Sequence, residues 1–280
     1  MLFPISTETR TVTSLNGVWR FAVQQPGEIN DPQTKLNSDQ VMAVPASFND
    51  QTVDQSIREH SGYFWYEREF EVPSILITQN LALHFGSATH EAWVYVNGEL
   101  AGHHKGGFTP FEVPVNELVH AGTNRVTVKL SNLLDQTTLP VGNYTETKDE
   151  DGNVIYHVDE NFDFFNYAGL HRNVSLLATP RTYIDNISIN PDVDLATQHA
   201  DVNVLVTASG DFDEIHVEIR DEDDQIVGES SGERNVISLD QVHLWQPLAA
   251  YLYSAKVSLL KMGHVVDVYT EPFGIRTVVA

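Results

Sequence analysis

Apolar and other residues alternate with a period of two along much of this 280-residue chain. The runs 81–85 and 126–130 both follow this pattern, which is typical of a strand with one buried face. The apolar run 93–96 leads into Asn97-Gly98, the dipeptide most strongly associated with a two-residue β-hairpin. Helical patterns are confined to two short pieces, at 53–58 and 114–119. The pattern therefore predicts an all-β protein.

The sequence pattern of the chain changes near Pro180. Beyond it, short apolar runs recur at regular intervals, at 183–189, 202–206, 215–220, 225–227, 236–239, 253–260 and 265–269. Seven strands in about 95 residues is the spacing of an immunoglobulin-like sandwich. We expect a larger jelly-roll-like sandwich over residues 1–180, followed by an immunoglobulin-like β-sandwich over residues 181–280.

The net charge of the chain limits the classes of partner that it is expected to bind. The formal net charge is −23 and the pI is about 4.6, whereas nucleic acids and anionic membranes require clustered Lys and Arg. We therefore expect no nucleic-acid partner and no membrane partner. Neither a run of 18 apolar residues nor a secretory leader is evident. Cysteine is absent, and a cytoplasmic location is the simplest expectation.

The segment 161–172, which reads Asn-Phe-Asp-Phe-Phe-Asn-Tyr-Ala-Gly-Leu-His-Arg, fits neither the strand period nor the helix period. It surrounds one carboxylate, that of Asp163, with aromatic rings. Removing a carboxylate from water costs several kcal/mol unless it is paired or hydrogen-bonded. Asp163 therefore either has partners within the protein or binds a ligand.

This segment resembles a signature of the β-glucuronidases of glycoside hydrolase family two. Further blocks resemble the first domain of that family and occur in the family's order, at 15–21, 44–50, 65–70, 93–98 and 106–111. The runs 244–247, 251–253 and 273–276 resemble its second domain. The resemblance implies that the first sandwich is of the galactose-binding type.

The resemblance also implies a role for Asp163, which would contact the sugar by accepting hydrogen bonds from its hydroxyl groups. A turn carboxylate bonded to backbone N–H groups is the structural alternative. Phe162, Asn166 and Tyr167 are candidates for residues that support Asp163. For Asn166 and Tyr167, internal packing is the simpler interpretation.

Retaining glycosidases need two carboxyl groups about 5 Å apart. In the family these come from a catalytic barrel, in Asn-Glu-Pro and Thr-Glu-Tyr contexts. Here Asn116-Glu117 is followed by Leu118, and the Thr-Glu pairs that end at Glu8, Glu146 and Glu271 are followed by Thr9, Thr147 and Pro272. We expect no catalytic residue in this chain, and no hydrolysis by the chain alone.

The expected whole protein is a retaining β-glucuronidase that acts on a β-glucuronide substrate without a cofactor. The C-terminal barrel missing from this sequence would be the partner of this portion, and we expect a homo-oligomer. Two alternatives remain. One is another family-two glycosidase such as a β-galactosidase, and the other is a stand-alone carbohydrate-binding module.

Two other groups of residues invite a binding hypothesis. His103 and His104 suit a metal, but adjacent side chains on a strand point to opposite faces, and we expect no metal site. Trp19, Trp65 and Trp93 could form a platform for sugar rings. Each lies in an apolar strand pattern, so the sequence predicts that all three belong to the core.

Overall fold

The computed structural model describes residues 1–28, 30–159 and 165–277. They form two compact units. The first is Val12–Ala178, and the second combines Met1–Thr11 with the residues from Thr179 onward. Each unit is built from β-sheets around its own apolar core, which confirms the predicted all-β class.

The first unit is a sandwich of a four-stranded and a six-stranded sheet, with the orders β1-β14-β6-β9 and β3-β2-β5-β10-β7-β8. Two short pairs, β11-β12 and β13-β4, accompany them. The strands are β1 (Thr11–Ser14), β2 (Gly17–Val23), β3 (Val41–Val44), β4 (Ala46–Ser47), β5 (Tyr63–Val72), β6 (Asn80–Phe85), β7 (Glu91–Val96), β8 (Glu99–Lys105), β9 (Phe111–Pro114), β10 (Gly122–Ser131), β11 (Tyr144–Lys148), β12 (Val154–Val158), β13 (Gly169–Leu170) and β14 (Val174–Thr179).

The core of this unit follows from the alternation in the sequence. On β10, Val126, Val128 and Leu130 are fully buried, and they lie in register with buried residues of β7. The predicted hairpin is confirmed, because β7 and β8 pair in antiparallel fashion across Asn97 and Gly98. Both turn residues have positive φ, 51° and 93°, as a type I′ turn requires.

One of the two predicted helical pieces is confirmed. Helix α1 (Gln55–Arg58) begins after Asp54, whose carboxylate accepts a hydrogen bond from the N–H of Ser56. The prediction of a helix at 114–119 was wrong. After β9 the chain makes a single hydrogen-bonded turn, because the Asn116 side chain bonds the backbone of Leu81 and Gln79 and fixes the segment beside β6. A short 3₁₀ turn occupies Ser74–Leu76.

The second unit has the seven strands that the sequence predicts. They are β15 (Tyr183–Asp194), β16 (His199–Ser209), β17 (Glu214–Arg220), β18 (Ile226–Ser231), β19 (Arg234–Leu239), β20 (Tyr253–Lys261) and β21 (His264–Phe273). They form a three-stranded sheet, β15-β16-β19, and a four-stranded sheet, β18-β17-β20-β21. This arrangement confirms the immunoglobulin-like sandwich.

The first eleven residues belong to the second unit, although the sequence had placed them in a first domain of residues 1–180. The physical reason is a buried ion pair. Asp267 is fully buried and accepts hydrogen bonds from Nε of Arg10 at 3.1 and 3.2 Å and from Oγ1 of Thr9 at 2.7 Å. The N–H of Ile184 donates to the same carboxylate at 2.8 Å. These bonds join the start of the chain to β15 and β21.

The three tryptophans of the first unit do not share one environment. Trp19 is fully buried in the apolar core, as predicted. Trp65 is buried as well, at 3% exposed, but it stacks on Tyr95 on the face of β5 opposite to the core residues Phe64 and Tyr66. Trp93 is only partly buried and lies on the opposite face of β7 from Ala92 and Val94, so the prediction that it belongs to the core was wrong. No helix within the described ranges is long and apolar enough to cross a membrane.

Candidate functional site

Two of the candidate site residues, Asp163 and Phe162, lie outside the described residues. The structure describes the same segment from Phe165 onward. The rings of Phe165 and Tyr167 lie 4.7 Å apart, and the two residues are 41% and 40% exposed. Tyr167 therefore lies on the surface, against an aromatic neighbour.

Asn166 is held through both ends of its amide. Its Nδ2 donates to the carbonyl of Asn132 at 2.7 Å, so its Oδ1 is the acceptor that faces Nε2 of His90, also at 2.7 Å. His90 must then carry its proton on Nε2 in order to donate. Asn132 is itself 2% exposed and bonds the backbone of residues 60 and 62. Asn166 is thus fixed to a buried polar framework.

The residues after Asn166 are fixed through their backbone. The N–H of Ala168 donates to Oδ1 of Asn49 at 2.9 Å, and the carbonyl of Ala168 accepts from the N–H of Phe48 at 3.0 Å. Gly169 pairs with β4 and has a φ of +139°. A side chain there would place its Cβ 2.9 Å from the carbonyl oxygen of Ala46, so only glycine fits.

Two histidines lie at this segment. His90 is 1% exposed, and Nδ1 of His171, a partly buried residue within the segment, lies 3.1 Å from Oγ1 of Thr89. Burial is the main cause that lowers the pKa of each imidazole below the ordinary value, because a charged ring would lose its hydration. Among the described residues, Nδ1 of His90 and Nε2 of His171 have no hydrogen-bond partner. Burial thus favours the neutral form of both rings.

The stability of this unit should depend on these imidazoles. Since their folded pKa values lie below the ordinary 6.5, the unfolded chain binds more protons than the folded chain once the pH falls below about 6.5. The contribution of the two neutral imidazoles to the free energy of unfolding is complete above that pH. It is lost as the pH falls toward the folded pKa values. We expect Tm to fall when the pH is lowered from about 7.5 to about 5.5, the range in which histidine ordinarily titrates.

A pair of variants isolates His90 in this experiment. His90→Gln should lower Tm at the higher pH, because a buried ring is lost, but it should make the fall on acidification shallower. His120→Gln replaces an exposed histidine of the same unit and should retain the wild-type pH dependence. If His90→Gln shows the same slope as the wild type, the buried imidazole does not control the acid response.

Within the part of the chain that the structure describes, no group of three or more His, Asp or Glu side chains could hold a metal ion. His103 and His104 have separate surroundings. Nε2 of His103 lies 2.7 Å from the Glu91 carboxylate, whereas His104 stacks on Phe111 at 4.2 Å. The polar cluster around Asn166 contains amide and imidazole groups that bond one another and the backbone, and it fixes this loop.

Comparison with known proteins places this arrangement in a family. The model for the sugar binding domain of glycosyl hydrolases family 2 matches residues 12–180, and a second model of glycosyl hydrolases family 2 matches residues 182–276. The chain belongs to glycosyl hydrolases family 2. The first match begins at residue 12, where the first unit begins, and ends at residue 180, two residues after that unit ends. The second match, from residue 182, lies within the second unit.

Several relatives in glycosyl hydrolases family 2 carry the name β-glucuronidase. That of Streptococcus agalactiae is 45% identical over 279 residues, which are 99% of this chain and 46% of the relative. The human protein is 35% identical over 305 residues, with the same coverage. A solved β-glucuronidase from Ruminococcus gnavus, in complex with uronic isofagomine, has a TM-score of 0.90 at 33% identity. The aligned region covers 46% of that structure and 99% of this chain. The chain thus spans about half the length of these relatives.

Sequence reasoning singled out Asn166 but not the residues that hold it in this family-2 domain. His90, Asn49 and Asn132 are all at most 2% exposed, and each bonds the segment that follows Asp163. The only local signal for them is a polar residue within an apolar strand or turn. Their partners lie between 34 and 119 positions away in sequence, so neither period nor spacing connects them.

Proposed function

We propose that this chain is the N-terminal portion of a β-glucuronidase that hydrolyses β-D-glucuronides with retention of configuration. One observation carries the proposal: proteins named β-glucuronidase align with 99% of the chain, at 34–45% identity, over less than half of their own length. The two catalytic carboxylates would lie in the C-terminal part of the whole protein. No cofactor is needed for such a reaction.

Within that protein, this chain would supply Asp163 to the active site, where its carboxylate would accept hydrogen bonds from sugar hydroxyls. Asp163 lies three positions before Asn166, whose amide is bonded at both ends, and five positions before Ala168, whose N–H and carbonyl are both bonded to β4 and its neighbours. A loop fixed so closely on one side can hold a short carboxylate in place with little loss of conformational freedom on binding.

An assay with an aryl β-glucuronide tests the function. A protein that extends this chain with the remainder of its reading frame should release the chromophore. The 280-residue chain should not, since the paired carboxylates that a retaining glycosidase needs are absent from its motifs. An aryl β-galactoside in the same assay separates the proposed activity from that of a β-galactosidase.

Two results would contradict this proposal. One is preferential turnover of the galactoside by the longer protein, and the other is glucuronidase activity that follows the purified 280-residue chain through a sizing column. If the reading frame holds no further domain, the carbohydrate-binding module becomes the better interpretation. The homo-oligomeric state of the longer protein stays a prediction, which light scattering can measure.

A further inference from the structure

One edge of the six-stranded sheet is the short strand β3, whose single neighbour among the described strands is β2. In an antiparallel ladder, the N–H and the carbonyl of a residue point to the same side of the strand. The carbonyl of Gln40 accepts from the N–H of Phe21 on β2 at 2.9 Å. By alternation, Met42 also faces β2 through its backbone, whereas the backbone groups of Val41 and Ala43 point away from the sheet.

The exposed side chains at this edge are apolar. Val41 is 58% exposed, and Val18 of β2, which lies in register with Ala43, is 65% exposed. Strand β3 reads Val-Met-Ala-Val and contains no charged residue, whereas the opposite edge strand, β8, contains Glu99 and Lys105. Charged side chains are a common means by which an edge strand avoids pairing with another chain. Strand β3 lacks this protection.

The side-chain amide of Gln51 occupies the outward groups of Ala43. Its Oε1 accepts from the N–H of Ala43 at 2.6 Å, and its Nε2 donates to the carbonyl of Ala43 at 3.2 Å. A residue of an added antiparallel strand would form the same pair of bonds with Ala43. Nε2 of Gln51 also donates to the carbonyl of Ser47 at 2.9 Å, so three hydrogen bonds hold the amide at the edge.

The chain after β4 brings this amide to the edge. The N–H of Gln51 donates to the carbonyl of Phe48 at 3.1 Å, which closes a turn. Phe48 is fully buried in the core of the first unit and anchors that turn. Gln51 lies eight positions from Ala43, so the contact closes only a short loop and orders no distant part of the chain.

We propose that the Gln51 amide blocks the β3 edge and prevents the six-stranded sheet from extending into a second copy of this chain. The partner that fits the edge is β3 of the second copy, because two identical strands can pair in antiparallel fashion about a two-fold axis. Such pairing would also cover the exposed valines of both copies. The proposal concerns the first unit alone and does not rest on the glucuronidase activity.

Sedimentation velocity of the 280-residue chain and its variants tests the proposal. Gln51→Met keeps the length of the side chain but removes its hydrogen-bonding groups. The dissociation constant of the dimer should be at least about tenfold lower in this variant than in the wild type, because the N–H and carbonyl of Ala43 become available to a second copy. Gln40→Met makes the same change at an exposed residue directly before β3 and should retain the self-association of the wild type.

Hydrogen exchange at the amide of Ala43 locates the effect. In the wild type this N–H should exchange slowly at every protein concentration, because Gln51 protects it. In Gln51→Met it should exchange fast in dilute solution and slowly at concentrations at which the dimer forms. The measurement on the wild type needs no variant, so it tests the Gln51 contact independently of the stability of Gln51→Met.

Two further variants examine the edge itself. Val41→Lys, added to Gln51→Met, places a charge on β3 and should return self-association to the wild-type level. Gln51→Glu keeps an acceptor for the N–H of Ala43 and adds a negative charge to the edge. It should therefore dimerise no more tightly than the wild type. Thermal unfolding of each variant verifies that folded proteins are compared.

Three results would overturn the proposal. The first is unchanged self-association in Gln51→Met, or an equal increase in Gln40→Met. The second is a dimer of Gln51→Met that persists when Val41→Lys is added, which would assign the contact to another surface. The third is fast exchange of the Ala43 amide in dilute wild-type protein, which would show that the Gln51 amide does not protect the edge.

Discussion

Asp267→Ala is expected to destabilise the second unit by about 3–5 kcal/mol, the effect of removing one partner of a buried ion pair. Asp267 is fully buried and Arg10 is 9% exposed. Without the carboxylate, the guanidinium keeps one described backbone acceptor, the carbonyl of Ile184, and has no counter-charge. The hydroxyl of Thr9 and the N–H of Ile184 also lose an acceptor.

Thermal unfolding followed by the fluorescence of Trp245, which lies in the second unit, measures this loss. A fall in Tm of about 10 °C or more corresponds to the expected change. Asp224→Ala is the matched control, because it breaks the surface pair with Arg220, worth at most about 1 kcal/mol. Equal effects of the two substitutions would show that the buried pair does not hold the N-terminal segment.

A double variant tests the mechanism of the loss. In Arg10→Leu with Asp267→Leu, no charge remains buried, so the double variant should be more stable than Asp267→Ala. The two residues are in direct contact, and their effects should therefore not be additive. Additive losses would indicate that each residue acts through packing alone.

The second large effect concerns Asp163 in the longer protein, and it rests on the proposed glucuronidase activity. If its carboxylate bonds the sugar more strongly in the transition state than in the ground state, Asp163→Asn should lower kcat and kcat/KM together. The loss of one charge-assisted hydrogen bond corresponds to about a ten- to hundredfold lower rate.

Asp159→Asn is the control for this variant. Asp159 is an exposed carboxylate just before the same segment, and its substitution should leave both kinetic constants unchanged. Wild-type kcat/KM in Asp163→Asn, accompanied by a lower Tm, would assign Asp163 a structural role in a turn. Steady-state kinetics and Tm measured on the same preparations separate the two roles.

Where a local pattern of apolar residues or turn residues determines the structure, the sequence predicted that structure correctly. The alternation at 126–130 gives one buried face on β10, and Asn97-Gly98 provides the two positive φ angles that close the β7–β8 hairpin. The seven strands of the second unit were also predictable, because acidic or glycine-containing turns separate apolar runs of similar length. In these places the local preference and the tertiary fold agree.

The same signals failed where the deciding contact lies far away in sequence. Alternation gives two faces to a strand, but it does not say which one meets the core, so Trp93 was assigned to the wrong face. The bond between Asn166 and His90 spans 76 positions, and that between Arg10 and Asp267 spans 257. A local sequence pattern includes only one residue of each such pair, so it does not reveal the bond.

The way in which the first unit is inserted into the second has a consequence for synthesis on the ribosome. Arg10 is made before the inserted unit, and Asp267 follows 257 positions later. The inserted unit can complete its own sandwich while Arg10 is still without its carboxylate partner. Any tag, fusion or trimming that disturbs Thr9 and Arg10 should therefore affect how strand β21, which carries Asp267, is held in place.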